Sequence, residues 1–390
     1  MTILEYLLWA CFFILFYTYL GYGLVLFILV RLKRLFVKPT SFDNAENQLP
    51  DVTLLVAAYN EVDFIEEKIS NSFSLAYPKG KLKLLFVTDG SDDGTPDLIK
   101  EYPQVQLMHQ PERQGKIKAV HRAMEQVNTP IVVFTDANTL LNSDVILNIV
   151  RHYKDPKVGA VAGEKRILVD TKDKASSAGE GIYWKYESTL KTWDSELYSV
   201  VGAAGELFSI RRELYEIIPA DTVIEDFYMT LRIASKGYVV RYEPEAYAME
   251  KASFSVKEEM KRKIRIAAGG IQAIVRLAPL LNFFNYGILS FQYISHRVLR
   301  WTIAPLSLPI LFICSLILSV YSSFYLYFTL LQVAFYFFGI LGGILASKKI
   351  KFKAFFVPFY FLVMNYSVFV GFNRYLKGNQ SVLWEKAKRA

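Results

Sequence analysis

The chain is poor in the residues that build metal clusters and disulfide frameworks. Among its 390 residues are two cysteines, Cys11 and Cys314, and four histidines. Both cysteines lie inside apolar runs, which excludes a disulfide scaffold and a zinc site of ordinary spacing. His109, His121, His152 and His296 are scattered without metal-ligand spacing. Charge is also scarce: 21% of residues are charged and 53% are hydrophobic, an apolar excess that points to a membrane protein. The surplus of charge is positive, +8 at neutral pH. Nucleic acid, anionic lipid and phosphate-bearing substrates all suit that sign. No basic face carries a nucleic-acid docking motif, so no nucleic-acid partner is expected.

Long hydrophobic runs are present. Ile3 to Val30 carries one formal charge, Glu5, and is longer than a helix needs to cross a ~30 Å hydrocarbon core. It has neither a basic start nor a small-residue cleavage site, so a cleaved signal peptide is rejected. Arg31, Lys33, Arg34 and Lys38 come next, which by the positive-inside rule places the N-terminus outside and the region after this run in the cytoplasm. Three further runs, Trp301 to Val320, Phe324 to Ala346 and Ala354 to Phe372, are of membrane length. Pro305, Pro309 and Pro358 allow bends in them. The charge pattern conflicts with itself at the end. Three full crossings put the tail outside, yet Arg374, Lys377, Lys386, Lys388 and Arg389 favour the inside. Either the last run is re-entrant or the charge rule fails.

Between the first run and the rest the pattern changes. Strands are expected at Val52–Ala58, Leu82–Val87, Val105–His109, Pro130–Phe134 and Val158–Ala162. Helices are expected at Phe64–Ser74, from Pro96, at Gly115–Val127, at Asp144–Tyr153 and at Phe227–Lys236. The alternation implies parallel βαβ units with right-handed crossovers. The first, second and fourth strands end in Tyr59-Asn60-Glu61, in Asp89-Gly90-Ser91-Asp92-Asp93-Gly94-Thr95 and in Thr135-Asp136-Ala137-Asn138. One such loop alone reads as a turn. Three polar loops at the carboxyl edge of an open α/β sheet read as a ligand site.

Those motifs, in that order, resemble the family 2 inverting glycosyltransferases and their nucleotide-sugar fold, GT-A. The resemblance runs from about Pro50 to Trp301 and extends to membrane-integrated members such as hyaluronan, chitin, cellulose and poly-N-acetylglucosamine synthases. It implies an α/β GT-A domain with a mostly parallel sheet, plus transmembrane and interfacial helices. It implies that Ala58, Tyr59 and Glu61 line the nucleotide, that Asp89 reads the base, and that Lys116, after Gly115, meets phosphate. A free helix N-terminus suits that anion, although Lys116 also reads as a solvated lysine. His121 stands where the family often has Asn. Asp136 matches the first Asp of an Asp-x-Asp metal motif, with Asn138 in place of the second. Both are hard oxygen ligands, so Mg²⁺ or Mn²⁺ is the expected cofactor.

Glu225-Asp226 matches the family's Thr-Glu-Asp, with Ile224 in place of Thr. The resemblance makes Asp226 the general base that takes the acceptor hydroxyl's proton. The alternative is that Asp226 only caps the following helix. Gly202 to Arg212, with Gly205 and the Arg211-Arg212 pair, resembles the loop under the acceptor sugar. Arg297-Val298-Leu299-Arg300-Trp301 resembles Gln-x-x-Arg-Trp, with Arg297 for Gln. There Arg300 would contact the diphosphate and Trp301 would cap the acceptor, or both would simply anchor the helix at the interface. Tyr183 to Glu187 either lines the acceptor path or packs a helix on the sheet. Lys257 to Leu281 reads as an amphipathic interfacial helix, with a second over Phe283–Tyr293.

The expected organisation is therefore a transmembrane helix at 1–32, a linker at 33–50, a cytoplasmic GT-A domain at 51–256, interfacial helices at 257–300, a membrane bundle at 301–373 and a basic tail at 374–390. The expected activity is transfer of a hexosyl or N-acetylhexosaminyl unit from a nucleotide sugar to a growing polysaccharide. The enzyme would be processive, in the plasma or inner membrane, with the bilayer as its other partner. Single transfer to a membrane lipid, as in ceramide glucosyltransferases, is the alternative. Asp89, Asp136, Glu225 and Asp226 together argue against a non-catalytic scaffold.

Overall fold

A computed structural model describes residues 2–37, 49–168, 176–251, 256–347 and 353–378. Most of the 33–50 linker, Lys38, Lys348 and Lys349, and the tail from 379 lie outside the described residues. The N-terminal run is one 35-residue helical rod, Thr2–Phe36. It comprises α1 (Thr2–Phe16) and α2 (Tyr22–Phe36), joined by a π-turn at Tyr17–Gly21.

The chain then builds an eight-stranded sheet. In order come β1 (Val52–Ala58), α3 (Val62–Phe73), β2 (Leu82–Asp89), α4 (Thr95–Lys100), β3 (Val105–Gln110), α5 (Lys116–Met124), β4 (Ile131–Asp136), β5 (Thr139–Leu141) and α6 (Val145–Val150). They are followed by β6 (Val158–Leu168), α7 (Ser176–Leu197), β7 (Leu207–Arg211), α8 (Glu225–Ser235) and β8 (Val239–Lys251). The sheet order is β3-β2-β1-β4-β7-β6-β8-β5. The β3-β2-β1-β4 half is parallel throughout, while β7 runs antiparallel to both β4 and β6. Every residue of β1 is buried, as expected of a central parallel strand covered on both faces. One core packs Leu55, Leu85 and Phe134 under α5 and α8, and the other packs Val56, Phe86 and Val133 against α3 and α6.

The strands and helices expected from the pattern form, with two differences. The 144–153 helix is α only to Val150 and tightens to a 3₁₀ turn at Arg151–Lys154. Half of the expected 202–212 loop is the strand β7, whose apolar side chains fill the sheet centre. Its Arg211 donates to the carbonyls of Val158, Tyr153 and Asp155, and Arg212 to that of Val127. The arginine pair therefore ties loops together at the far end of β7 instead of facing a sugar.

Beyond the sheet lie α9 (Val256–Arg276), α10 (Phe283–Tyr286), α11 (Ile288–Tyr293), α12 (Leu299–Trp301), α13 (Ile303–Leu318), α14 (Ser323–Ser347) and α15 (Lys353–Leu376). Helix α9 does not simply float on a surface. Its small residues admit close neighbours on both sides. A methyl on Gly269 would sit 2.9 Å from Val223, and Gly371 of α15 packs its backbone on Ala267 and Ala268. The chain bends by 53° between Ile288–Trp301 and Ile303–Leu318. Among the described residues, three helices, or four counting that bent pair as one span, are long and apolar enough to cross a membrane. The break thus falls in the first C-terminal run, whereas the last, Ala354–Leu376, is a continuous helix despite Pro358.

Candidate active site

The carboxyl ends of β1, β2 and β4 meet at one edge because the three strands are adjacent, with Ala57 in register with Asp136 and Ala58 with Thr88. Most of the polar residues of the second loop turn out to hold that edge together. Asn60, the one non-glycine with positive φ among the described residues, exchanges hydrogen bonds with Asp92 at 2.8 and 3.0 Å. Ser91 and Thr95 accept from the Asn60 and Glu61 amides, and Asp93 from that of Val62. The turn reading was right for these residues.

Asp89 is different. Its Oδ2 accepts the Gln114 and Gly115 amides at 2.9 and 2.6 Å, fixing the loop before α5. Its Oδ1 is buried and has no hydrogen-bond partner among the described residues. An unsatisfied buried acceptor costs about 1–3 kcal/mol, a cost a ligand N–H would relieve. Nearby, the Arg113 guanidinium stacks 3.8 Å over the Tyr59 ring. Arg113 lies in a loop without pattern, and nothing in the sequence marked it. Glu61 accepts from Asn138 Nδ2 at 3.4 Å, so the first and last loops face each other.

Lys116 opens α5 and is only 16% exposed, so it is not a solvated lysine. Its ammonium lies 2.9 Å from Asp136 Oδ1 and 2.7 Å from Glu225 Oε1. Burial works against its charge, but the two carboxylates outweigh it and raise its pKa. Behind Asp136, the fully buried Lys68 donates to the Thr139 carbonyl at 2.8 Å, and burial pulls its pKa down to about 7.

Glu225 and Asp226 open α8, whose N-cap is Ile224 with no side-chain cap, so Asp226 is not the capping residue. Burial disfavours both charges, and the pair splits. Lys116 holds Glu225 below its usual range, whereas burial and then the Glu225 charge push Asp226 up to about 7. Gly205 brings backbone against this pair. A methyl there would lie 3.5 Å from Asp226 Oδ2 and 3.8 Å from Lys116 Nζ. Gly202 has φ +82°, and a Cβ on it would overlap the Phe227 ring.

The basic aromatic motif sits one layer away. Trp301 meets Phe227 edge-on at 5.2 Å and fits over Gly270, where a Cβ would come within 2.5 Å of its ring. Arg297 and Arg300 instead converge on Glu187 of α7, at 2.7 and 2.9 Å. Glu187 is buried, and Arg297, His296 and Arg300 together overcome that burial and hold its carboxyl well below the usual range. His296 spans from Glu187 to Asp194, at 3.3 and 2.5 Å. Asp194 in turn accepts from Tyr22 of α2 and from Gln292. This network was missed because a lone Glu in an aromatic stretch carries no pattern. His121 turns away from the site, toward the Tyr215 hydroxyl and the Ile218 carbonyl, and serves the fold.

Asp136 and Asn138 offer hard oxygen donors at the cleft. Among the described residues no group of three His, Cys, Asp or Glu could hold a metal alone. The donor set fits Mg²⁺ or Mn²⁺ only as an ion shared with ligand oxygens such as those of a diphosphate.

Residues 53–218 match the family model for Glycosyl transferase family 2. Among curated proteins, the chain is similar to poly-beta-1,6-N-acetyl-D-glucosamine synthases of Staphylococcus aureus, 28% identical over 240 residues. The match covers 59% of this chain and 57% of theirs. The Staphylococcus epidermidis protein of the same name is 24% identical over 239 residues. The chain thus spans 57% of the length of these relatives. Among solved structures it resembles a mannosyltransferase of Pyrobaculum calidifontis in complex with GDP-Man and Mn²⁺. The TM-score is 0.70 at 24% identity, over 96% of this chain and 99% of that one. That likeness shows the fold.

Proposed function

We propose that the chain, whose residues 53–218 match the Glycosyl transferase family 2 model, performs an inverting transfer from a nucleotide sugar to a growing polysaccharide at a membrane. The observation that carries this reading is the joining of Asp136, Lys116, Glu225 and Asp226 in one run of contacts, with a protonatable carboxylate at its end. In such a transfer the acceptor hydroxyl oxygen attacks the anomeric carbon as the bond to the nucleoside diphosphate breaks. Asp226 takes the hydroxyl proton, and its raised pKa suits a base working near neutrality. Glu225 stays charged and holds Lys116 in place.

On the donor side, Asp89 Oδ1 accepts a base N–H, with Ala58, Tyr59 and Glu61 around the nucleoside. Lys116, kept cationic by its neighbours, offsets charge on the departing diphosphate. A divalent cation held by Asp136 and Asn138 would supply Lewis-acid compensation for the same charge. Gly205 leaves room for the acceptor ring, and Trp301 with the Arg297–Arg300 helix closes that side. The domain belongs in the cytoplasm, where Lys33 and Arg34 of α2 bind the end of α7.

Incubation of the purified protein with a panel of sugar nucleotides, followed by product mass analysis, tests the reading. A ladder of products supports polymer synthesis. One added sugar on a lipid moves the function to single transfer. No release of nucleoside diphosphate from any donor refutes both.

A further inference from the structure

One face of α7 turns a stripe of charge inward. Glu187, Lys191 and Asp194 recur at helical spacing, and all three are buried. Two of them are fully matched: Glu187 by Arg297, Arg300 and His296, and Asp194 by Tyr22, Gln292 and His296. Lys191 is not. It is 6% exposed, and its ammonium has no hydrogen bond or ion pair among the described residues. Its one close partner is the Tyr242 ring, 5.6 Å from the nitrogen. The hydroxyl of that ring points to Ser188, to which it donates at 3.0 Å.

An ammonium carries three N–H donors and no acceptor. Buried without acceptors it is costly, and burial accordingly lowers the Lys191 pKa. The charges of Glu187, Arg297, Glu206 and Asp226 all act on it. Lys191 sits one turn along α7 from Glu187, which holds Arg297 and Arg300, and the Asp226 charge reaches it. Glu206 is already held by Lys165 at 2.5 Å, and Glu187 by the two arginines. Neither carboxylate hydrogen-bonds the lysine among the described residues.

We propose that Lys191 is an acceptor-binding residue, whose ammonium takes the hydroxyl and ring oxygens of the sugar that receives the transfer. The inference rests on the glycosyl-transfer reading and deepens it. The sugar supplies the oxygen acceptors that the fold withholds from this buried cation. The contact orients the ring so that one hydroxyl faces Asp226. It makes no demand on the nucleotide, which binds at the opposite loops.

The test compares Lys191→Met, which keeps length and removes the donors, with Lys191→Arg, which restores them. The probes are an N-acetylglucosamine pentasaccharide as acceptor and UDP as donor-site ligand. The sugar nucleotide is the one that the wild type turns over best. The pentasaccharide KM should rise at least tenfold in Lys191→Met and recover at least partly in Lys191→Arg, while UDP affinity stays within twofold in both. Unchanged acceptor KM in Lys191→Met overturns the proposal. So does a parallel loss of UDP affinity and thermal midpoint that Arg does not rescue, since that marks a packing lysine. If the wild type turns over no sugar nucleotide, the underlying transferase reading fails instead, and the two failures are told apart.

Discussion

Replacing Glu225 with Gln should move the acid limb of the pH–rate profile to lower pH. Asp226 stands at about 7 because burial and the Glu225 charge both disfavour its ionised form, with Lys116 opposing them. A base works only when deprotonated. In the wild type kcat/KM should therefore fall about tenfold per unit as pH drops below 7, and level off above it. Neighbouring carboxylates on a helix interact across roughly 6–8 Å. At an effective dielectric of about 20 that is roughly 2–3 kcal/mol, or about 1.5–2 pKa units. Glu225→Gln removes this repulsion. It also releases Lys116, now 2.7 Å from Glu225, to act more fully on Asp226. Both changes lower the Asp226 pKa, so the limb should shift down by about 1–2 units even though the plateau also drops. The assay is kcat/KM for a labelled sugar nucleotide between pH 4.5 and 8.5, at constant ionic strength in detergent. A limb that stays at the wild-type pH in Glu225→Gln would falsify the coupling. A limb that survives in Asp226→Asn would assign it to another group.

The same geometry sets three further outcomes. Asp226→Asn should leave UDP binding nearly intact and lower turnover by roughly two to four orders of magnitude, measured by single-turnover kinetics. Wild-type turnover would end its role as the base. Asp136→Ala should abolish the Mn²⁺-dependent part of nucleoside diphosphate affinity in calorimetry. Equal affinity with and without chelator, in variant and wild type alike, would make Asp136 a loop residue. Gly202→Ala places a Cβ at positive φ and into the Phe227 ring, so it should cost about 2–4 kcal/mol. A thermal midpoint within 1 °C of wild type, on the order of a tenth of what that cost predicts, would show that the turn relaxes freely.

Much of the candidate site's layout could be read from residue order because its residues sit in short local motifs at strand ends. Val52–Ala58 and Ile131–Phe134 are continuous apolar runs, each ending in a polar loop, so both the strand and the site edge are local signals. Asp226 and Lys116 were visible for the same reason. The β7 strand was not, because Gly202 and Gly205 precede it and dominate its local appearance. Arg113, Glu187 and Lys191 were hidden more deeply. Each is placed by neighbours far away in the chain: Tyr59 for the first, Arg297 and Arg300 for the second, and the Tyr242 ring for the third. Neither spacing nor propensity carries such pairings. The Asp-Gly-Ser-Asp-Asp-Gly-Thr loop shows the converse error. Its carboxylates invite assignment to ligand, yet Asp92 and Asp93 hydrogen-bond to Asn60 and Val62, and among the three only Asp89 has a buried oxygen without a partner among the described residues.

The membrane helices and the site are parts of one packing problem. Tyr22 of α2 and Gln292 of α11 both reach Asp194, and His296 carries the contact on to Glu187. Glu187 then fixes the two arginines on the turn before Trp301, and Trp301 leans on Phe227, the residue after Asp226. A buried carboxylate held by two guanidiniums is a poor source of net stability, because desolvation consumes most of the Coulomb gain. What such a pair does supply is a geometry with few alternatives. Leaving either partner alone in the interior is costly, so α7 and the 294–301 turn can dock in few registers. That register decides whether Trp301 lies over Gly270 and where Phe227 sits, and Phe227 comes directly after Asp226 on the first turn of α8. The hydrophobic rod at the N-terminus thereby helps to set the position of a carboxylate two hundred residues later. The apolar helices accordingly act as part of the scaffold that positions Asp226.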